Sequence, residues 1–173
     1  EIDCIIPARA NSTRFPRKHL ARVNGIPLIG YAIESARESG IFGNVYVSSE
    51  DKETLEVAER FGAVPKLRPA RLSEANVRVP EVVLHEADGI NSERALLGLP
   101  PRQSVCVILP TVALLLPREI RAMWELCLDK VIGEDSSGCM TIVRPAEDPT
   151  YLLVREGDYH IKLVQLGPYT DRA

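Results

Sequence analysis

The sequence predicts a three-layer, Rossmann-like α/β fold with a mainly parallel sheet between helices. Short apolar runs alternate along the chain with amphipathic segments of helical period, the pattern of strands joined by crossover helices. Composition agrees, because 173 residues with 45% hydrophobic and 26% charged side chains suit one globular domain with a substantial core. Residues 1–173 are therefore expected to form a single domain. The chain stops just after the polar segment Tyr169 to Arg172, so further C-terminal residues are expected in the complete protein.

The elements follow in order. Ile2 to Pro7 is an apolar run interrupted only by Asp3 and predicts a buried first strand. A polar loop from Ala8 to Asn24 ends in the turn signal Asn24-Gly25, and Pro27 opens a helix as a first-turn proline. Leu28, Ala32, Ile33 and Ala36 give that helix its apolar stripe, and Gly40 ends it. Val45 to Val47 predicts a second strand. Ser48 with Asp51 three residues later resembles a capping box for a helix over Lys52 to Phe61, closed by Gly62. Val64 to Leu67 is a short third strand, and a helix beginning near Pro80 carries Val83, Ala87 and Ile90 on one face. After the break at Pro100-Pro101, Val105 to Leu109 predicts a fourth strand. Ile120, Met123, Trp124 and Cys127 mark another helix, and Cys139 to Val143 a fifth strand. Leu152 to Arg155 and His160 to Leu166, around Glu156-Gly157-Asp158, predict a hairpin.

Charge and cysteine content narrow the function classes. A formal net charge of −3 argues against a nucleic-acid-binding protein, and no apolar run is long enough to span a bilayer. Cys4, Cys106, Cys127 and Cys139 lie far apart, without the close pairs of a zinc site or a redox motif. They are expected to be reduced core residues of a cytoplasmic protein.

The densest chemical signal is the loop after the first strand. Arg9, Arg14, Arg17 and Lys18 bring four cations into ten residues, while Ala10, Asn11 and Ser12 are small enough to let backbone N–H groups approach phosphate oxygens. Ligands of open α/β sheets bind at the carboxyl ends of strands, where this loop would sit. It suits a triphosphate, although it lacks the glycines of a Walker A or dinucleotide loop. The alternative is a solvated basic connector.

The run Ile5-Ile6-Pro7-Ala8-Arg9, with Ser12, Arg14, Pro16 and Lys18, resembles the signature of nucleotidyltransferases that make CMP-activated acidic sugars. Gly25-x-Pro27-Leu28-Ile29, Val47-Ser48-Ser49-Glu50-Asp51, Phe61-Gly62-Ala63, Leu67-Arg68-Pro69-Ala70 and Leu109-Pro110-Thr111 extend the resemblance in order and spacing. Within that family the N-acylneuraminate and pseudaminate cytidylyltransferases are the nearest pattern. The resemblance implies the nucleotide-diphospho-sugar transferase fold and transfer of CMP from CTP to an acidic nine-carbon sugar, with release of pyrophosphate. It also implies Mg²⁺, a homodimer, and a nucleotide site formed by Ala8, Arg9, Ala10, Asn11, Ser12, Lys18, His19 and Arg68.

Within that site the resemblance makes Arg9 and Lys18 the catalytic cations. Thr111 and Arg172 are implied on the sugar side. Arg68 would lie near the cytosine edge, or else cap a carboxylate at a strand end. His19 stands where the family has asparagine, and an imidazole can donate to the same ligand. Arg17 is expected to face solvent, His85 to be structural and His160 to point outward from a strand.

Val79 and Val112-Ala113 depart from the pattern and remove polar contacts expected in the nucleotide and sugar pockets. No metal ligand is identified within the chain, and the family's metal-binding aspartates would lie beyond Ala173. Two other functions stay open: a cytidylyltransferase for a simpler acidic sugar such as a ketodeoxyoctonate, and a degenerate nucleotide-binding regulatory domain.

Overall fold

A computed structural model describes residues 2–10, 15–102, 104–130, 139–140, 151–156 and 160–165. They belong to two compact units, residues 1–120 and 121–173.

The first unit is built on strand β1, Ile2–Pro7, buried along its whole length. Its residues alternate between two cores, as the period of two in a strand requires. Cys4, Ile6 and Ala8 join the core formed with Ile29, Ile33 and Ala36 of helix α1, Leu28–Ser39, and with Val57 and Ala58 of helix α2, Lys52–Arg60. Ile5 points the other way, to Ile90 of helix α3, Val79–Leu96. Three layers result, with α1 and α2 on one face of the sheet and α3 on the other. Ile29 and Ile33 are fully buried, each worth roughly 1.5–3 kcal/mol of transfer free energy.

The short strands β2, Arg22–Val23, and β3, Ile26–Pro27, make a hairpin around Asn24 and Gly25, whose φ values of 49° and 82° are those of a primed turn. Pro27 then acts as N-cap of α1 and not as its first residue. Strand β4, Phe42–Ser49, exceeds the expected Val45 to Val47. Its parallel ladder with β1 runs through Pro7 and Ser48, so pairing recruits polar residues that propensity alone leaves out. For the same reason Ser48 is a strand residue and not a helix cap; Asp51 is the N-cap of α2 and accepts from the Thr54 amide.

Strand β5, Val64–Leu67, and strand β6, Val105–Val107, complete a four-stranded sheet in the order β5-β4-β1-β6, with every pairing parallel. A single 3₁₀ turn over Ala70–Ser73 precedes α3. Among the described residues no helix is long and apolar enough to cross a membrane.

Helix α4 covers Pro117–Lys130. In the second unit, strands β7, Cys139–Met140, β8, Tyr151–Glu156, and β9, His160–Gln165, form an antiparallel sheet in that order. The expected hairpin is therefore present, with Glu156 opposite His160. The expected strand at Cys139 pairs antiparallel with β8 and does not extend the parallel sheet; residues 141–143 lie outside the described residues. Cys4 and Cys106 are free, facing each other across β1 and β6. Cys127 is disulfide-bonded, which corrects the expectation of reduced cysteines throughout. Spacing in sequence does not reveal which thiols tertiary structure brings together.

Candidate functional site

A cleft of about 270 Å³ opens at the carboxyl edge of the parallel sheet. In the order β5-β4-β1-β6 strands are added on one side of β1 and then on the other, so the strand order reverses between β1 and β6, the switch point at which open α/β sheets leave a crevice for ligands. Pro7 at the end of β1 and Thr111 after β6 stand at its two sides. Arg9, Lys18, His19 and Arg68 also line it, so four of the residues singled out for nucleotide binding meet here. Thr111 lines the cleft with them.

The remaining candidates divide into two groups. Ala8 and Ala10 are buried at the loop's entry, and their amides are already spent: Ala8 N–H donates to the Ser48 carbonyl at 2.8 Å, and Ala10 N–H to Glu50 Oε1 at 3.0 Å. Asn11, Ser12, Arg14 and Arg172 lie outside the described residues.

Arg68 is the most constrained of the cations. Only 4% exposed, it directs Nη2 to Glu50 Oε2 at 3.2 Å and to the Ser48 carbonyl at 3.3 Å, and Nη1 to the Leu72 carbonyl at 3.4 Å. Burial lowers its pKa and the Glu50 carboxylate raises it; a guanidinium keeps its charge in such a setting. Arg68 thus pairs with a carboxylate at the strand end, one of its two expected roles, and also lines the cleft. Among the described residues, its Nε is the one buried side-chain polar atom without a hydrogen-bond partner. Native interiors satisfy nearly all such groups, and an orphaned donor at a cleft suits a ligand's acceptor.

His19 is buried within the 3₁₀ turn Lys18–Leu20, and its Nε2 lies 2.9 Å from Thr54 Oγ1. The Thr54 hydroxyl has one hydrogen, which goes to Asp51 Oδ2 at 2.7 Å, so Nε2 must donate to Thr54. Nδ1 is then the ring's acceptor in the neutral form. In the neutral ring the one N–H is therefore directed at Thr54, and Nδ1 is the nitrogen left without it. Its observed part is to tie the turn carrying Lys18 to the start of α2.

Burial also lowers the His19 pKa, with Asp51 pulling the other way. The unfolded chain therefore takes up a proton first as pH falls, and stability should decline below about pH 6.5, the ordinary histidine value. Asp51 acts in a separate window. Burial pushes its carboxyl up, but the hydrogen bonds from Thr54 and the charge of Arg17 hold it below the usual range, so its contribution is lost only at more acidic pH. Urea unfolding between pH 5 and 8 should show His19→Asn with a flatter profile than wild type. Equal slopes would count against a buried neutral His19.

Arg17 does not simply face solvent. Half-exposed, it pairs with Asp51 at 3.1 Å and with Glu53 at the start of α2. Val79 lines the cleft, whereas Val112 packs against the core beneath it, so the second departure removes no side chain from the cleft wall. Sequence reasoning missed Glu50, Thr54 and Ser73 as parts of the site. Glu50 was visible only as one letter of the motif at the end of β4. Among the described residues no cluster of three His, Cys, Asp or Glu side chains could hold a metal ion.

A parallel sheet with cations gathered at its switch point defines an open α/β domain with a ligand crevice at the strand ends. The cytidylyltransferase family description matches residues 4–94, and the chain belongs to that family. It is 40% identical over 113 residues to a pseudaminic acid cytidylyltransferase of Campylobacter jejuni subsp. jejuni serotype O:2, covering 65% of this chain and 47% of that protein. It is 35% identical over 80 residues to a 3-deoxy-manno-octulosonate cytidylyltransferase of Thermodesulfovibrio yellowstonii, covering 46% of this chain and 31% of that protein. The solved structure of CMP:2-keto-3-deoxy-manno-octonic acid synthetase complexed with CTP matches with a TM-score of 0.60 at 15% identity, over 96% of this chain and 72% of that one. That likeness is one of fold. The chain spans about half the length of the pseudaminic acid cytidylyltransferases it matches.

Proposed function

We propose that the protein transfers CMP from CTP to an acidic nine-carbon sugar of the pseudaminate or N-acylneuraminate type, releasing pyrophosphate. The observation that carries this reading is the meeting of Arg9, Lys18 and Arg68 in one cleft at the sheet's switch point, within a chain of the cytidylyltransferase family. The anomeric hydroxyl oxygen of the sugar bonds to the α-phosphorus as the bond from that phosphorus to the bridging oxygen breaks. The hydroxyl proton is lost to solvent and the electron pair leaves with pyrophosphate.

Alignment and charge stabilisation dominate such displacements, so Arg9 and Lys18 act by holding the phosphates and meeting the charge that develops on them. Asn11 and Ser12 complete the cradle in this proposal. The Arg68 Nε–H is suited to the acceptors that cytosine presents at O2 and N3; uracil places an N–H at the latter position. Thr111 and Arg172 are assigned to the sugar. No step is routed through Mg²⁺, and the homodimer is proposed on family resemblance alone.

Pyrophosphate release by the full-length protein tests the reaction. With CTP present, pseudaminate or an N-acylneuraminate should support turnover well above a control lacking sugar, and ketodeoxyoctonate should support less. Turnover with none of these acids would overturn the proposal.

A further inference from the structure

One carboxylate joins the parts of the cleft that come from different stretches of chain. Glu50 follows β4, and its Oε1 accepts the Ala10 amide at 3.0 Å, where the chain enters the cationic loop. Its Oε2 accepts the Ser73 hydroxyl at 2.9 Å, from the 3₁₀ turn before α3, and Arg68 Nη2 at 3.2 Å. Three donors from the loop after β1, the end of β5 and that turn thus share two oxygens. Only an ionised carboxylate accepts them all, because a glutamine would turn an N–H₂ toward one of them. The Glu50 side chain is 18% exposed and the Arg68 side chain 3%, so the pair is shielded from the screening that weakens surface bridges.

The Arg68 guanidinium is oriented by these contacts. Nη2 is held by Glu50 and Ser48 and Nη1 by Leu72, leaving Nε as the nitrogen with no hydrogen-bond partner in the protein. Without Glu50 the guanidinium would lose its charge partner, and the Ala10 amide its acceptor. Glu50 is not among the residues that line the cleft.

We propose that Glu50 is a positioning residue that locks the loop for phosphate to the arginine for the base, so that one side chain sets how both ends of a nucleoside triphosphate are gripped. This rests on the CTP reading above. A residue that only stabilised the fold would lower the melting temperature and leave the affinity of the folded protein unchanged.

The test uses calorimetric titration of the full-length protein with CTP and with inorganic tripolyphosphate, which probes the loop without a base. Glu50→Gln should weaken CTP on the order of 10- to 100-fold, the effect of disturbing charged hydrogen bonds, and should weaken tripolyphosphate as well. Arg68→Gln should weaken CTP but leave tripolyphosphate within about twofold. The double variant should bind CTP little worse than Glu50→Gln alone, the non-additivity expected of residues acting as one unit. Glu50→Asp keeps the charge but lacks the reach to hold Ala10 and Arg68 together, and gives a second variant should Glu50→Gln not fold; an intermediate CTP affinity is expected. Wild type that binds no CTP overturns the proposed function and this inference with it. Wild type that binds CTP, with a folded Glu50 variant equal to it for both ligands, overturns this inference alone.

Discussion

Replacing Arg9 with alanine is expected to lower kcat by about 100-fold or more while changing CTP affinity modestly. Arg9 comes two residues after the buried end of β1, so its backbone is fixed and its side chain lines the cleft beside Lys18. Its Nη1 donates to the Glu74 carbonyl at 3.0 Å, which tethers one end of the guanidinium fork. A preorganised cation that meets charge as it develops is typically worth roughly 2.7–4 kcal/mol in the transition state. Arg9→Lys should recover part of the loss, since an ammonium keeps the charge but not the planar fork. Steady-state pyrophosphate release with saturating CTP and sugar separates kcat from KM. A kcat near that of wild type would return Arg9 to the solvated-connector reading.

The largest effect on stability is expected far from the cleft, at the other end of β1. Asp3 is fully buried, accepts the Asn44 amide at 2.9 Å, and pairs with Arg102 Nε at 2.9 Å. Arg102 in turn is held by Asn91 of α3, whose amide oxygen accepts from the Arg102 backbone at 2.7 Å. Arg102→Leu removes the cation and leaves a carboxylate in the core, a loss of roughly 3–5 kcal/mol for a broken buried pair. Urea unfolding at pH 7 measures it through the transition midpoint. Asp3→Asn with Arg102→Leu together should lose less than Arg102→Leu alone, because no buried charge is then stranded. A loss below about 1 kcal/mol for Arg102→Leu would mean that Asp3 finds another way to satisfy its charge.

Much of this arrangement was legible in the chain. Ile2 to Pro7 is apolar except at Asp3, and no local competitor obscured the strand. The stripe of Ala32, Ile33 and Ala36 has helical period, so most of the face of α1 against the sheet could be named, with Ile29 and not Leu28 as its first buried residue. Arg9 and Lys18 were visible because four cations crowd one loop, and Arg68 through the resemblance of its motif.

What escaped notice depends on contacts across the sheet. Ser48 has the chemistry of a helix cap, yet its pairing with Pro7 keeps it in β4 and its hydroxyl donates to Glu86 at 2.7 Å. Asp51, three residues on, takes the capping role. The contact between His19 and Thr54 joins residues thirty-five positions apart, which no local pattern signals. Glu50 carries no local pattern at all: its three donors at positions 10, 68 and 73 converge only when β1, β4 and β5 lie side by side.

Selective binding of CTP is the claim on which the proposed chemistry depends. Ligand that binds only the native state raises the melting temperature by a mass-action contribution, so thermal unfolding of the full-length protein with equal concentrations of CTP, UTP, GTP and ATP measures it directly. CTP should raise the melting temperature most, and Lys18→Ala should diminish that rise. Equal shifts with all four nucleotides, or none with CTP, would contradict a cytosine-selective triphosphate site in this cleft.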